Sequence, residues 1–141
     1  QCGQVPVITA LYENMNYCFS SLLISNDEDL ENIHPSDQES VKSHYPSGWQ
    51  RRCFEYLGSI NGYEYLRDGE ITIRVKNAYV EHVSEPKFKV GEIVLVNRKG
   101  ENGIIEKMHW HINKIRPIYT VSVKGFLSGY QYFDDDLTAI V

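Results

Sequence analysis

The chain has 141 residues, and its 14 lysines and arginines against 19 aspartates and glutamates give a formal charge of -5. This length fits one domain or two very small ones, and a composition of 42% hydrophobic and 23% charged residues excludes a disordered chain as the default. The negative charge disfavours nucleic acid and favours a basic protein partner.

The three cysteines, Cys2, Cys18 and Cys53, are odd in number and form no CxxC pair. That pattern argues against a disulfide framework and a zinc ribbon and favours a reducing compartment, so we predict a cytoplasmic location. The sequence has no run of about 18 apolar residues and no signal-peptide pattern, and we expect no membrane partner. Because the first residue is glutamine, removal of a leader stays open.

The N-terminal segment has the apolar spacing of an amphipathic helix. Apolar side chains recur at i, i+3, i+4 and i+7, at Val7, Ile8, Leu11, Tyr12, Met15, Cys18, Phe19, Leu22 and Leu23. The spacing predicts a helix from Val5 to Ile24, with Pro6 in its first turn. A hairpin that turns at Asn14–Asn16 is the weaker alternative, because its strands would not alternate cleanly.

An acidic cluster follows, formed by Asp27, Glu28, Asp29 and Glu31. Next, Ser36 and Glu39 have the spacing of a capping box, which predicts a short helix that ends before Pro46. The acidic residues are either solvated residues of a loop and a helix start, or rim charges that attract a basic partner.

Two dipeptides downstream, Asn61-Gly62 and Asp68-Gly69, are typical of two-residue hairpin turns with positive backbone angles. They predict an antiparallel meander of three strands between residues 52 and 83. Taken literally, the turns fix a register that pairs Ile60 with Tyr63, Leu57 with Leu66, Arg67 with Glu70 and Leu66 with Ile71.

This register gives the meander an aliphatic face and an aromatic face. The aliphatic face carries Leu57, Leu66, Ile71 and Ile73, and the aromatic face carries Phe54, Tyr56, Tyr63, Tyr65 and Arg74. Aromatic rings beside an arginine could stack nucleobases, which makes Tyr56, Tyr63, Tyr65 and Arg74 an alternative binding surface. The other interpretation is that these rings cover the core.

The C-terminal part begins with the motif Phe88-Lys89-Val90-Gly91-Glu92-Ile93-Val94-Leu95, and it continues with Gly103-Ile104-Ile105, Tyr119–Val123, Tyr130–Phe133 and the acidic turn Asp134-Asp135-Asp136-Leu137. These residues resemble the Src-homology-type small barrels of the Tudor and KOW kind. The resemblance covers residues 86 to 141 and implies a five-stranded barrel. Such barrels carry many unrelated functions, so the resemblance implies a fold more than an activity.

His109-Trp110-His111 lies within this region. Period-two alternation places Lys107, His109 and His111 on the wetter face of a strand, and the opposite face carries Ile104, Met108, Trp110 and Ile112. A zinc site needs a third and usually a fourth ligand, which nothing nearby supplies, so we predict two strand histidines and no metal.

Other catalytic signatures are also missing from the sequence: a Gly-rich phosphate loop, an HExxH helix, a nucleophile elbow and a local Cys-His pattern. We therefore predict no catalytic residues, no cofactor and no enzyme activity. A site assembled from scattered residues stays open.

Together these observations predict an α+β fold with N-terminal helices, an antiparallel meander and a small barrel, divided into residues 1–84 and 85–141. The order of a helix, the segment DLENIHPSDQESVKSHYPSGWQRRCFEYLGSINGYEYLR (residues 29–67) and a VGE-type barrel is similar to that of small uncharacterised bacterial proteins. Compact acidic proteins of this size are similar in type to the immunity partners of toxins. We predict a non-catalytic protein-binding module, with single-stranded nucleic-acid or ribosome binding as the alternative. The predicted partner-binding residues are the acidic ones, Asp27, Glu28, Asp29, Glu31, Asp134, Asp135 and Asp136.

Overall fold

The computed structural model describes residues 16–76 and 79–140. The chain divides into two compact units, Gln1–Glu85 and Pro86–Val141. In unit 1 the elements are β1 (Tyr17–Leu23), 3-10 helices at Asp27–Asn32 and Pro35–Asp37, α1 (Gln38–His44), β2 (Gly48–Ile60), β3 (Tyr63–Asp68), β4 (Ile71–Lys76) and β5 (Tyr79–Val83). In unit 2 they are β6 (Ile93–Val96), β7 (Glu101–His111), β8 (Arg116–Val123), β9 (Phe126–Tyr132), a 3-10 helix at Asp134–Asp136 and β10 (Leu137–Ala139).

The predicted α+β class with N-terminal helices is wrong, because the described residues are mostly β-strand and α1 is their single α-helix. Residues 5–15 of the predicted N-terminal helix lie outside the described part of the chain, and residues 17–23 form β1. That strand pairs with β2 on one side and β5 on the other, and Tyr17–Ser20 are buried in succession. A strand that is buried on both faces has a continuous apolar run in its sequence. Such a run also contains the i, i+3, i+4 spacing of an amphipathic helix, so the two are easily confused.

The predicted short second helix is confirmed as α1, which ends before Pro46 with Tyr45 at its C-cap. Its start differs from the predicted capping box. A 3-10 turn precedes it, in which the His34 ring nitrogen Nδ1 accepts a hydrogen bond from the Ser36 backbone N–H at 3.1 Å. The helix packs its buried Val41 onto the sheet of unit 1.

The hairpin turn at Asn61-Gly62 is confirmed, since both residues have positive φ, 53° and 83°, and Ile60 faces Tyr63. The pairing of Leu57 with Leu66 is wrong, because a β-bulge lies between Tyr56 and Gly58 and places Tyr56 opposite Leu66. Gly58 has a φ of 129°, an angle that glycine adopts at little cost because it has no Cβ atom, and glycine is therefore suited to this bulge. The bulge moves Tyr56 to the opposite face from the one predicted.

The second hairpin is also shifted. Its turn consists of Gly69 and Glu70, and Asp68 is the last residue of β3, opposite Ile71. Gly69, at φ 63°, supplies the positive angle at the first turn position. Arg67 and Leu66 therefore face Thr72 and Ile73, and their predicted pairing with Glu70 and Ile71 is wrong.

The core of unit 1 lies between one face of its strands and the helical segment. It is formed by buried side chains from β1–β4, the 3-10 helix at Asp27–Asn32 and its C-cap, α1 and the turn after it, namely Cys18, Leu30, Ile33, Val41, Tyr45, Trp49, Phe54, Tyr56, Leu66, Ile73 and Val75. Aromatic rings meet edge to face within it, with centroids 5.2 Å apart for Tyr45 and Trp49 and 5.5 Å apart for Trp49 and Phe54.

Unit 2 is an open antiparallel arrangement, and the predicted closed five-stranded barrel is wrong. Its ladders join β10 to β6, β6 to β7, β7 to β8 and β8 to β9, and no ladder between described residues joins β9 to β10. β10 has only three residues, all paired with β6, and β9 is irregular opposite Thr120–Ser122. A short last strand and an irregular edge leave too little regular backbone to close the barrel.

The alternation predicted for β7 holds over only part of the strand. A bulge between Ile105 and Lys107 reverses the faces, so Ile105 is buried and Ile104 is 43% exposed. Beyond the bulge Met108 is buried, as predicted, but Trp110 is only half-buried, like His109 and His111, and Ile112 is 49% exposed, so burial does not separate the two predicted faces there. The predicted alternation assumed a regular strand. One inserted residue exchanges the two faces for all positions before it relative to those after it, so the prediction could not hold on both sides of the bulge.

Candidate functional site

Asp29 of the first acidic cluster has a structural role at the start of the 3-10 helix Asp27–Asn32. Its carboxylate oxygen Oδ2 accepts hydrogen bonds from the backbone N–H of Ser25 at 2.7 Å and of Asn26 at 3.3 Å. In return the Asn26 side chain accepts a hydrogen bond from the Glu28 N–H at 2.9 Å. This reciprocal capping satisfies backbone donors that a helix start leaves unpaired.

The other three acidic residues of the cluster, Asp27, Glu28 and Glu31, are exposed. Within the described part of the chain their carboxylates take part in no hydrogen bond and no ion pair, and the last turn of the helix contains no basic residue. Three uncompensated negative charges within five residues produce a local field that attracts cations.

A groove of about 480 Å³ lies where β1 ends and β2 begins. Its lining consists of Ser21, Leu22, Leu23, Ser47, Gly48, Trp49 and Gln50. Leu23 is 73% exposed, at the end of a strand whose first four residues, Tyr17–Ser20, are buried. The groove therefore exposes apolar surface.

Gly48 allows the two strands to approach closely at this groove. Its φ is 89°, and a Cβ atom at this position would lie 1.9 Å from the backbone oxygen of Leu22. A backbone hydrogen bond from Ile24 N to Ser47 O, 3.2 Å long, holds the rim, and the Trp49 indole donates to Ser20 Oγ at 3.3 Å beneath it. No residue with a side chain fits at position 48 without moving β1.

The acidic helix begins four residues after Leu23. Four residues of extended chain span at most about 14 Å, so Asp27 begins within that distance of the exposed leucine. The acidic helix therefore follows the end of the groove directly along the chain. We call the groove together with Asp27, Glu28 and Glu31 the acidic groove.

The second predicted acidic cluster, Asp134–Asp136, is largely engaged within unit 2. Asp136 Oδ2 accepts the Phe133 N–H at 2.9 Å, and Asp135 Oδ2 is 3.3 Å from the Arg116 guanidinium. That guanidinium also lies over the Phe133 ring, 4.3 Å from its centroid, and Asp134 is half-buried. These contacts leave less free charge here than at the first cluster.

The predicted aromatic surface does not form a single face. Tyr56 lies in the core of unit 1 and donates its hydroxyl hydrogen bond to Glu64 Oε1 at 3.0 Å. Tyr65 is paired with Arg74 in the β3–β4 ladder, on the face of the sheet opposite to Tyr56. The Tyr63 ring packs against the His34 ring, with centroids 4.9 Å apart. The bulge at Gly58 is the cause of this separation.

Arg74 of that surface is bound to Asp37. The guanidinium donates from Nε and Nη2 to the two carboxylate oxygens, each at 2.9 Å, and the Arg74 backbone N–H donates to Oδ2 at 2.8 Å. Partial burial raises the pKa of Asp37, but the hydrogen bonds and charge of Arg74 outweigh it and lower that pKa below its ordinary value. The arginine anchors the segment before α1 to β4 and is not free to bind phosphate.

A buried polar network was missed by sequence reasoning, which assigned Asp68 to a turn. The Asp68 side chain is 3% exposed, and its Oδ2 accepts from the Tyr45 hydroxyl at 2.5 Å and lies 2.7 Å from the Arg52 guanidinium, itself 12% exposed. Burial, followed by the hydrogen bond to Asp68, raises the pKa of Tyr45 well above its ordinary value. The network joins the turn after α1 to β2 and β3.

Neither His109 nor His111 belongs to a metal-binding group, since the described residues hold no set of three histidine, cysteine or acidic side chains placed around one point. His111 Nδ1 accepts a hydrogen bond from the Lys114 N–H at 3.1 Å, and its ring packs against Phe133. Cys18 and Cys53 are buried free thiols, and burial raises the pKa of Cys53 to about 12. Such thiols are poor nucleophiles.

The described residues thus form a mostly β protein that includes the acidic groove, and none of their helices has the length and hydropathy to cross a membrane. The chain belongs to a family of unknown function, DUF6960, whose profile matches residues 14–138. No curated protein and no solved structure matches it. The groove itself escaped sequence reasoning, although Leu22-Leu23 at a strand end and Gly48 after Pro46 were its signals.

Proposed function

We propose that this chain is a non-catalytic protein-binding module whose partner inserts an apolar side chain, flanked by basic ones, into the acidic groove. The observation that carries the proposal is that Asp27, Glu28 and Glu31, which have no hydrogen-bond or ion-pair partner among the described residues, follow the exposed Leu23 within eight residues of chain. The charges accelerate encounter with a basic surface, and burial of the leucine holds the complex together once it has formed.

An immunity protein that occludes a basic toxin domain is the concrete form of this function. Such a protein needs no catalytic group, only a surface that covers the toxin and excludes its substrate. The formal charge of -5 favours a basic partner of this kind. The cytoplasm is the proposed location, supported by the two buried cysteines that remain unpaired.

The single-stranded nucleic-acid alternative has weaker support. Of the residues predicted for that surface, Tyr56 is buried in the core and Arg74 is bound to Asp37. A stacking platform needs free rings beside free positive charge, which Tyr63 and Tyr65 alone do not supply.

The proposal is tested with a probe peptide that alternates lysine and isoleucine, and with a matched peptide in which glutamate replaces lysine. Titration into the ¹⁵N-labelled protein should shift the amide resonances of residues 21–31 and 47–50 with the lysine peptide only. We expect the double variant Asp27→Asn, Glu28→Gln to weaken this binding by about tenfold, since each rim charge contributes on the order of 0.5–1 kcal/mol at low salt.

A matched control removes the same charge elsewhere in unit 1. Glu39 and Glu70 are exposed, and the variant Glu39→Gln, Glu70→Gln should bind the lysine peptide as the unmodified protein does. Equal losses in both variants would show that overall charge, and not the groove, attracts the peptide. Micromolar binding of a mixed-sequence single-stranded oligonucleotide at low salt would instead favour the nucleic-acid alternative.

A further inference from the structure

The β7–β8 hairpin ends in a tip of four residues, Ile112, Asn113, Lys114 and Ile115, all of them exposed. The two isoleucines are 49% and 75% exposed, although hairpin tips are ordinarily polar. An apolar pair with a lysine between its members is therefore presented to the solvent at the end of this hairpin.

The tip is held in one conformation. The Ile115 N–H donates to the His111 backbone oxygen at 2.8 Å, and the Lys114 N–H donates to His111 Nδ1 at 3.1 Å. These bonds explain why His111 stands at the end of β7: it closes the turn. A preorganised tip loses little conformational freedom on binding.

Ile115 has a φ of 53°, in the left-handed region that β-branched residues rarely adopt. Asparagine or glycine would adopt this angle at lower cost, and an exposed side chain gains little from burial within its own fold. The fold therefore gives no reason for isoleucine here. The strain points to a role of this side chain outside the fold.

We propose that the hairpin tip of one copy of this chain docks into the acidic groove of a second copy. This inference rests on the proposed function, since it assigns to that groove a partner with the required chemistry. The apolar surface of Leu22, Leu23 and Trp49 receives Ile112 and Ile115, and a groove of about 480 Å³ has room for two such side chains. Lys114 then approaches the free carboxylates of Asp27, Glu28 and Glu31, so the charges of tip and groove are complementary.

Tip and groove are different surfaces, so the contact is heterologous. Each copy can donate one tip and accept another, and the assembly grows beyond a dimer unless it closes into a ring. This has a consequence that a symmetric dimer does not share. A copy with an impaired tip and a copy with an impaired groove should each associate weakly alone, and a mixture of the two should stop at a 1:1 dimer.

The experiment is sedimentation velocity of the full chain over a concentration series, at low and at high salt. The unmodified protein should associate, and more weakly at high salt because the contact includes screened charges. The tip variant Ile112→Ser, Ile115→Asn and the groove variant Leu23→Ser should each weaken association about tenfold or more, as expected for residues at the centre of an interface. Mixed together, the two variants should sediment as a dimer.

Lys124→Asn is the matched control, because Lys124 also has a positive φ, 54°, in an exposed hairpin turn, and it should associate normally. The single variant Ile115→Asn should raise the melting temperature while it weakens association, which separates loss of the contact from loss of the fold. Monomeric unmodified protein at the highest concentration, or a mixture of variants that stays monomeric, overturns the proposal. If the lysine–isoleucine peptide still binds the acidic groove in that case, the proposed function stands and only self-docking fails.

Discussion

Asp27–Asn32 and Asp134–Asp136 are both 3-10 helices that begin with three acidic residues, yet their carboxylates differ in what they contact. In the first helix one carboxylate caps the backbone, and the rest of the cluster is exposed and has no partner among residues 16–76 and 79–140. In the second helix two of the three carboxylates are engaged, Asp136 in a cap and Asp135 in an ion pair. A run of acidic residues in the sequence therefore does not by itself predict an acidic surface, because backbone N–H groups and nearby arginines can bind some of the carboxylates.

The same comparison extends to acidic residues elsewhere in unit 1. Asp68 is buried in a network, Asp37 is bound to Arg74 at the edge of the core, and Asp27 is free. Stability should depend on these side chains in that order, and partner binding in the reverse order.

The largest effect is expected from Asp68→Ala. This change leaves the Arg52 guanidinium buried without its partner, and breaking a buried pair from one side costs about 3–5 kcal/mol. Urea unfolding followed by tryptophan fluorescence measures the loss. Glu55→Ala is the matched control, because Glu55 and Arg67 form the same type of pair at 2.6 Å on an exposed part of the sheet, where about 1 kcal/mol or less is expected. Equal losses would contradict the assignment of Asp68 to the core.

Sequence predicted those features that a few adjacent residues determine. Asn61-Gly62 determined its own turn, and the residues around Glu39 determined a short helix. Asp68-Gly69-Glu70 allowed two turns that differ by one residue, and only the tertiary contact of Asp68 with Arg52 and Tyr45 distinguishes them. That distant contact is absent from the local pattern.

The bulges and the groove had even less local signal. An inserted residue at Leu57 or Glu106 reverses the faces of a strand, and nothing in simple alternation marks the insertion. The acidic groove depends on the meeting of β1 with the start of β2 at Gly48, two segments about 25 residues apart in the chain. Asp27, Glu28 and Glu31 were predicted as binding residues from their charge alone, and their lack of partners could be seen only in the structure.

Asp37→Asn should have the next largest effect, about 2 kcal/mol, because it removes a paired carboxylate that accepts three hydrogen bonds. The folded-state pKa of Asp37 is lowered, so its contribution is present above the unfolded-state pKa and is lost as pH falls through the folded-state pKa. The difference in unfolding free energy between the unmodified protein and the variant should be full at pH 7 and shrink toward pH 3. A difference that does not change over this range would contradict the pairing with Arg74.

A smaller effect is expected at the two capping aspartates. Asp29→Ala and Asp136→Ala each remove a carboxylate that accepts a backbone N–H at a 3-10 helix start, and each should cost about 1 kcal/mol in unfolding free energy. Thermal unfolding measures both. Asp27→Ala serves as the control, because Asp27 lies in the same 3-10 helix as Asp29 but its carboxylate caps no backbone N–H of the described residues. A loss of unfolding free energy as large as that of Asp29→Ala would show that the caps are not the cause.

The smallest effect on stability, and the largest on binding, is expected when the free carboxylates are neutralised. The triple variant Asp27→Asn, Glu28→Gln, Glu31→Gln should change the unfolding free energy by no more than about 0.5 kcal/mol, because exposed side chains without partners are replaced. With a basic partner, or with the lysine–isoleucine peptide as its stand-in, the variant should lower the association rate and flatten its dependence on salt, since rim charges act on diffusional encounter. Asp134→Asn, Asp135→Asn, Asp136→Asn removes the same formal charge but breaks a cap and an ion pair. We expect this second triple variant to lose stability and to keep most of its association rate, as measured by stopped-flow fluorescence at several salt concentrations. The reverse result, with fast association lost only in the second variant, would move the binding surface to unit 2.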